Sequence, residues 1–510
     1  MKKKILKFSK YFAISLLVVL FLFFGLVFVP VPKIDFPDKS YTRLLIKNID
    51  IVDVKNDRIL ENKFVLIAGN KIIRIADRLI SADDAETRTI DGRKQFLIPA
   101  LWDMHVHLHK QYPYIAGAEF VVNGVMHVRD MRGAYNDRDP FASTPERIMK
   151  WNKEVEGLDL LGPKIHNLTS LAVEGPHPMF DRSPDFFNCS NEEEAKLLVQ
   201  YFKDQGVDLI KIYNNIPRNA FFELLKQAQL AEIDVAGHKP VRISTAEASN
   251  AGMKSLEHAR FLIWDSYEGA EALRKDNDPK SRDNTDLREQ MLLGHDTLLL
   301  DKNLETLKNN GTWYCPTHLT RKADAYADDN IFRARYDKIN PILRLLSFED
   351  LDATIQEDTT VRGRKTYKDF YFKSLEITKR ANEKGVGILA GSDVPELPGT
   401  SLLDELEELS KAGLSNYDVL KTTTLNSARY YNLENQYGAI EAGKTADLII
   451  LPQNPIAEIS AVRNVSGLIY QGIYLDKNEI KKIKEKIYSR NRSLVLSAKL
   501  IWDMVVYSTL

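Results

Sequence analysis

The chain has 510 residues, 44% hydrophobic and 28% charged, with 70 basic and 71 acidic side chains and a net charge of −1. That length exceeds one ordinary core, so two or three structural units are expected, in a globular balance with no basic field to collect nucleic acid. Its two cysteines, Cys189 and Cys315, lie far apart and form no CxxC-type site, which excludes a disulfide framework and leaves either one bridge or two free thiols.

Lys2, Lys3, Lys4, Lys7 and Lys10 precede an apolar run over residues 11–31, long enough to cross a hydrocarbon core as a helix. Basic residues at one end mark that end as cytoplasmic, which places the bulk of the chain outside the cytoplasm. The competing reading is a cleaved signal and a secreted product, but the exit, Val27-Phe28-Val29-Pro30-Val31-Pro32, lacks the small-residue pair of a cleavage site. Residues 1–36 are therefore an anchor or signal segment with its linker, extended from Pro30 to Pro37. A single span disfavours a transporter.

Residues 43–98 read as short strands at 44–48, 49–54, 64–68 and 71–75, with a Gly69-Asn70 turn. From 99 to 436 short apolar strands alternate with helical stretches such as 192–205, 218–231 and 402–411. Candidate strands end at His107, Asp130, Ser170, Tyr213, His238, His258, His318 and Asp393, which predicts an α/β fold, a closed (β/α)8 TIM-like barrel. The charged section 266–384, broken by a strand at 312–317, predicts helices around the barrel mouth. Residues 437–475 return to strands, at 446–451 and 465–474, expected to pair with 43–98 as one small β-sandwich domain built from both ends of the barrel. The tail, 476–510, has a basic helix-like part and then an apolar part with Ile501, Trp502, Val505 and Val506, expected to dock on the body or a partner.

On a strand, residues i and i+2 face the same side, so His105 and His107 can offer two imidazoles to one ion. Such a pair is weak evidence alone; its context strengthens it. Lys211 stands near the end of the apolar strand 207–213, either snorkelling to the surface or carboxylated by carbon dioxide into a bridging ligand. His238, His258 and Asp393 each close a further strand. In a (β/α)8 barrel these ends converge on one face, where active sites sit.

With these residues in hand, the sequence resembles the amidohydrolase superfamily, in its imidazolonepropionase-like and prolidase-like (Xaa-Pro dipeptidase) branch, over residues 43–475. The motifs are 99–107, 124–130 (GVMHVRD), 207–213, Glu257-His258, 385–393, 412–414 with 424–428, and 438–451 (GAIEAGKTADLIIL). The resemblance implies two divalent ions, zinc first, with manganese, cobalt or iron as alternatives. His105, His107 and Asp393 would hold the more buried ion, and His238 and His258 the second. Carboxylated Lys211 and a hydroxide would bridge them. Asp393 would be catalytic, taking the proton of the attacking hydroxide and returning it to the leaving amine. Deaminases of the superfamily carry a Glu shortly after the fifth-strand His; here Lys239, Pro240, Val241 and Arg242 follow His238, which favours two-metal hydrolysis.

The implied activity is hydrolysis of an amide or peptide-like bond in a small molecule, a dipeptide or an N-acyl amino acid. A lactone or ester hydrolase on the same site and a non-catalytic, membrane-tethered relative are the alternatives. Oligomeric state stays open, a homo-oligomer included. Three residues are candidates for substrate contact: Tyr213, which shares the parity of Lys211, Arg260 and His318. Simple packing for Tyr213 and surface pairing for Arg260 are equally compatible. His109, His127 and His177 read as loop or core residues.

Overall fold

The computed structural model describes residues 2–34, 36, 41–78, 86–179, 183–275 and 284–508; Pro37 of the expected linker lies outside them. Both ends of the folded region build one sheet. Its first strands are β1 (Arg43–Asp53), β2 (Arg58–Ala68), β3 (Lys71–Ala76), β4 (Thr87–Asp91) and β5 (Phe96–Pro99). The central region supplies β6 (Leu101–Val106), β7 (Val125–Asp130), β8 (Lys164–Ile165), β9 (Leu209–Ile212), β10 (Asp234–Gly237), β11 (Ser255–Glu257) and β12 (Trp313–Cys315). Then β13 (Leu448–Leu451), β14 (Gly467–Tyr470) and β15 (Ile473–Asp476) return to the first sheet, in the order β15-β14-β13-β5-β1-β2-β3 with β4 on β1.

The apolar run of β13 is buried on both faces, which is why it does not alternate. Leu448 and Ile450 face the small core with Ile46, Ile67 and Leu97, whereas Ile449 and Leu451 face the main core with Ile98 and Leu101. Two expectations are corrected here. Segments 44–48 and 49–54 are one strand, kinked where Asn48 adopts φ 57° and the register slips. Segment 465–474 is a hairpin rather than a strand: Gln471 and Gly472 take φ 47° and 75°, the double positive turn that suits a right-twisted pair.

The central strands form a curled α/β arrangement. β6, β7 and β8 make one parallel sheet and β9 to β12 another. Parallel bridges at Thr169–Leu209 and Val173–Ile212 link the first to the second, and Tyr314–Ile388 links β12 onward. Residues 386–393 return to the start, with Met104 N donating to Ala390 O at 2.8 Å and Asp393 N to His105 O at 2.9 Å.

Helices Glu192–Asp204, Arg218–Leu230 and Thr400–Lys411 fall where their apolar periodicity predicts, each ending within two residues of expectation. Section 266–384 is largely helical, its longest members being Thr297–Asn310, Pro341–Glu357 and Val361–Lys384. Helix Lys2–Phe28 contains one apolar stretch, Phe8–Phe28, long enough to cross a membrane. Both cysteines are free and buried.

Candidate active site

The structure brings the sequence-predicted ligands together around Asp393. His107 Nε2 lies 3.3 Å and His105 Nε2 3.6 Å from Asp393 Oδ1, and the two Nε2 atoms are 3.4 Å apart. His258 Nδ1 is 3.6 Å from Asp393 Oδ2. The His238 ring meets the His258 ring edge-on, centroids 4.5 Å apart. Lys211 is buried beneath, on β9, and its charge acts on His105, His107, His238, His258 and Asp393 alike.

Close backbone approach makes this possible. A side chain on Gly391 would place its first carbon 2.6 Å from both Cys315 Sγ and His105 Cβ, and one on Gly237 would meet Ile212 O at 2.5 Å. His258, Thr317 and Asp393 adopt φ of 69°, 44° and 50°, a left-handed conformation that costs non-glycine residues and is kept where packing over-determines it.

A layer of oxygens aims the rings. Glu257 Oε2 sits 2.8 Å from His105 Nδ1, which leaves Nε2 for the cluster. Asn214 Oδ1 does the same to His238 Nδ1 at 2.9 Å, and Thr317 Oγ1 meets His258 Nδ1 at 2.8 Å. Glu257 is itself held by Arg129, whose Nη2 donates to both carboxylate oxygens at 2.8 Å while Nη1 donates to Ser255 Oγ at 2.8 Å. Asp103 accepts from Ser392 N at 2.9 Å and Ser392 Oγ at 2.6 Å, tying β6 to the segment that carries Asp393.

Protonation follows from burial. It pushes all four imidazoles well below their ordinary pKa, helped by neighbouring cations, so they are neutral, the form that ligates metal. Burial lowers Lys211 to about 8 and raises Asp393 to about 7. Four neutral imidazoles and a carboxylate, beside a lysine that gives up its proton more readily than usual, form a donor set suited to divalent ions.

Residues 373–474 match the Amidohydrolase family. The 5-methylthioadenosine/S-adenosylhomocysteine deaminase of Teredinibacter turnerae is 29% identical over 104 residues, 18% of this chain and 23% of that protein, so the match spans about a quarter of that relative. In fold, a Xaa-Pro dipeptidase with methionine bound in its active site superposes with a TM-score of 0.60 at 20% identity, over 85% of this chain and all (100%) of that one. A bottromycin amidohydrolase gives 0.68 at 18%, over 92% and 93%. A putative prolidase from Bifidobacterium longum gives 0.57 at 18%, over 90% and 100%. The sequence match to the Amidohydrolase family over 373–474 supports an enzyme acting on carbon–nitrogen bonds, and the likeness to the solved dipeptidase, prolidase and amidohydrolase structures is one of fold.

The substrate candidates separate in the structure. Tyr213 stacks on His238 with centroids 4.0 Å apart, and Arg260 Nη2 lies 3.4 Å from His238 Nδ1, so both border the cluster. His318 is corrected: it starts helix His318–Ala325 instead of closing a strand. It is fully buried, with Nδ1 2.8 Å from Glu405 Oε1 and Nε2 2.9 Å from Thr378 Oγ1, so both ring nitrogens are used inside the protein. His109 is buried against Phe141, His127 is buried against His166, and His177 is exposed. Sequence reasoning missed Asp103, Asn214, Thr317 and Arg129. Of these only Asp103 carried a signal, the parity it shares with His105 and His107 on β6.

Proposed function

We propose that this chain is a metal-dependent hydrolase that cleaves an amide or peptide-like bond in a small molecule, a dipeptide or an N-acyl amino acid. The observation that carries the reading is the convergence on Asp393 of histidines from separate strand ends, with buried Lys211 below them. His105, His107, Lys211, His238, His258 and Asp393 would hold two divalent ions, zinc first, with Lys211 carboxylated. When bound, such ions would bring a water's pKa from roughly 16 toward roughly 7 and polarise the scissile carbonyl.

The protein's own groups supply the rest. Asp393, raised to about 7, can take a proton and return it near neutral pH, which suits it to move the water's proton to the leaving amine. Tyr213 and Arg260, both against His238, would donate to a substrate carbonyl or carboxylate. Lys211, near 8, has enough neutral amine to react with carbon dioxide. The reading carries a closed (β/α)8 barrel over 99–436, a small β-sandwich domain from 43–98 and 437–475, a tail over 476–510, and an anchor in 1–36 that leaves the hydrolase outside the cytoplasm.

The test is metal content combined with a hydrolysis screen over dipeptides, N-acyl amino acids and lactones. Asp393→Asn is expected to lose about 10³-fold or more in turnover with its thermal stability kept. A fully active variant would refute the proton role. Protein purified without divalent metal, and unable to take it up, would refute the two-metal centre.

A further inference from the structure

The last helix, Leu494–Ser508, touches both the membrane-length helix and the rim of the catalytic face. On one side Trp502 meets Phe24 edge-on, centroids 5.4 Å apart, and Lys499 Nζ donates to Val27 O at 2.6 Å. On the other, Lys110 Nζ donates to Asp503 Oδ1 at 2.9 Å, in the loop just past His107. Tyr507 walls a cavity together with Arg132, Asn136 and Asp139, which follow β7. Leu496 and Leu500 join an apolar cluster that reaches Val394 and Leu397, directly after Asp393. Loops that follow His107, β7 and Asp393 are thus tied, through one helix, to the end of the apolar span.

Depth follows from the span. Phe24 lies four residues inside the end of Phe8–Phe28, about 6 Å of helix rise, the level at which an interfacial Trp sits. The same helix leaves Leu494, Ile501 and Val505 exposed at 73%, 37% and 45%, spaced as one stripe. Beside it, Lys33, Lys486 and Arg490 line a groove with Val29 to Pro32, the residues immediately beyond the span, at the depth of the lipid headgroups. An apolar stripe flanked by cations, continuous with a spanning helix, fits a lipid surface.

We infer that this helix holds the catalytic mouth against the bilayer, and that the substrate is an amphiphile, a long-chain N-acyl amino acid taken from the lipid surface. The inference rests on the hydrolase and anchor readings above. A mouth on the membrane meets acylated substrates at the raised concentration that partitioning gives them, and the exposed stripe of Leu494, Ile501 and Val505 offers their chains apolar surface beside it.

The test uses the full chain in vesicles of phosphatidylcholine and phosphatidylglycerol. A fluorophore is placed at Met179→Cys, on the rim cavity, or at Lys55→Cys, in the β1–β2 turn, whose neighbour Asp57 pairs with Lys421 near the opposite strand ends. The native cysteines are buried. A lipid-borne quencher is expected to quench position 179 and spare position 55; equal quenching at the two positions overturns the inference. Metal-loaded enzyme is expected to cleave N-dodecanoyl amino acids at least tenfold faster, in kcat/KM, than N-acetyl ones. Leu494→Asp with Ile501→Asp should lower the dodecanoyl rate about tenfold and leave the acetyl rate unchanged, which also shows that the variant folds. Equal rates on both substrates overturn this inference and leave the hydrolase reading standing. Cleavage of neither overturns the hydrolase reading and this one with it.

Discussion

β6 and β7 carry two buried histidine clusters, one at each end, and their chemistry differs although their residue types do not. At the candidate-site end, His105, His107 and His258 direct ring nitrogens at one carboxylate, Asp393. At the other end, His127 Nδ1 lies 3.1 Å from His166 Nε2, and Trp102 stacks on both rings with centroids 4.4 and 4.2 Å away. Tyr431 and Tyr437 enclose that pair, and Asp447, just before β13 of the first sheet, lies 3.5 Å from His127 Nε2. Burial drives the imidazole pKa down in both, to about 3 for His127. Neutral buried histidine is therefore no mark of a site. The difference lies in how many rings share a carboxylate: three imidazoles converge on Asp393 in one cluster, whereas in the other Asp447 meets His127 alone and the remaining contacts are a neighbouring ring and an aromatic wall.

The largest way to break this contrast is to release the aim of a ring while leaving the ring in place. Glu257 sets the orientation of His105 and is pinned by Arg129. Glu257→Gln keeps the shape but removes the charge that holds His105 Nδ1–H, so metal affinity should fall about 10–100-fold, read by competitive titration against a chelator. Unchanged affinity would mean that burial alone makes the cluster.

A second test uses protons. Asp393 and Asp103 are raised to about 7 and Asp447 to about 6, all by burial. A carboxyl raised in the folded state contributes stability that is complete below its unfolded value near 4 and is lost as pH rises through about 7. Metal-free protein should therefore melt at a lower temperature at pH 8 than at pH 5.5. Metal binding must displace the Asp393 proton, so affinity should fall by about tenfold per unit as pH drops below 7. Metal should reverse the pH slope due to Asp393 and leave that due to Asp447. A metal affinity flat from pH 5.5 to 8 would exclude Asp393 from the ligand set.

Much of the candidate cluster was legible because its histidines stand at or just past the end of an apolar strand, and Lys211 inside one, where a polar residue stands out against its neighbours. The layer behind it was not. Asn214 and Thr317 reach His238 and His258 from loops with no periodicity, and Arg129 acts across the interior from β7. His318 was misplaced because the turn into its helix depends on Thr317 taking a left-handed conformation, which no local pattern announces. The hairpin at Gln471-Gly472 did carry its signal, a glycine inside an apolar run. The placement of the last helix against Phe24 and Lys110 joins residues hundreds apart, and apolar patterning says only that such a helix must be covered.

The smallest expected effect sharpens the contrast from the other end. His127→Phe preserves a flat ring beneath Trp102 but leaves His166 Nε2 without its partner in a buried, aromatic setting. An unmet hydrogen bond of that kind costs about 1–3 kcal/mol, partly offset by the apolar ring that replaces a polar one. Denaturant titration should show that loss, while metal content and affinity stay at the parent level, because no nitrogen of this pair faces Asp393. A fall in metal content would mean that the two ends of β6 are coupled through the strand, and that the lower cluster positions His105 and His107 instead of only fastening the central strands to the first sheet through Asp447.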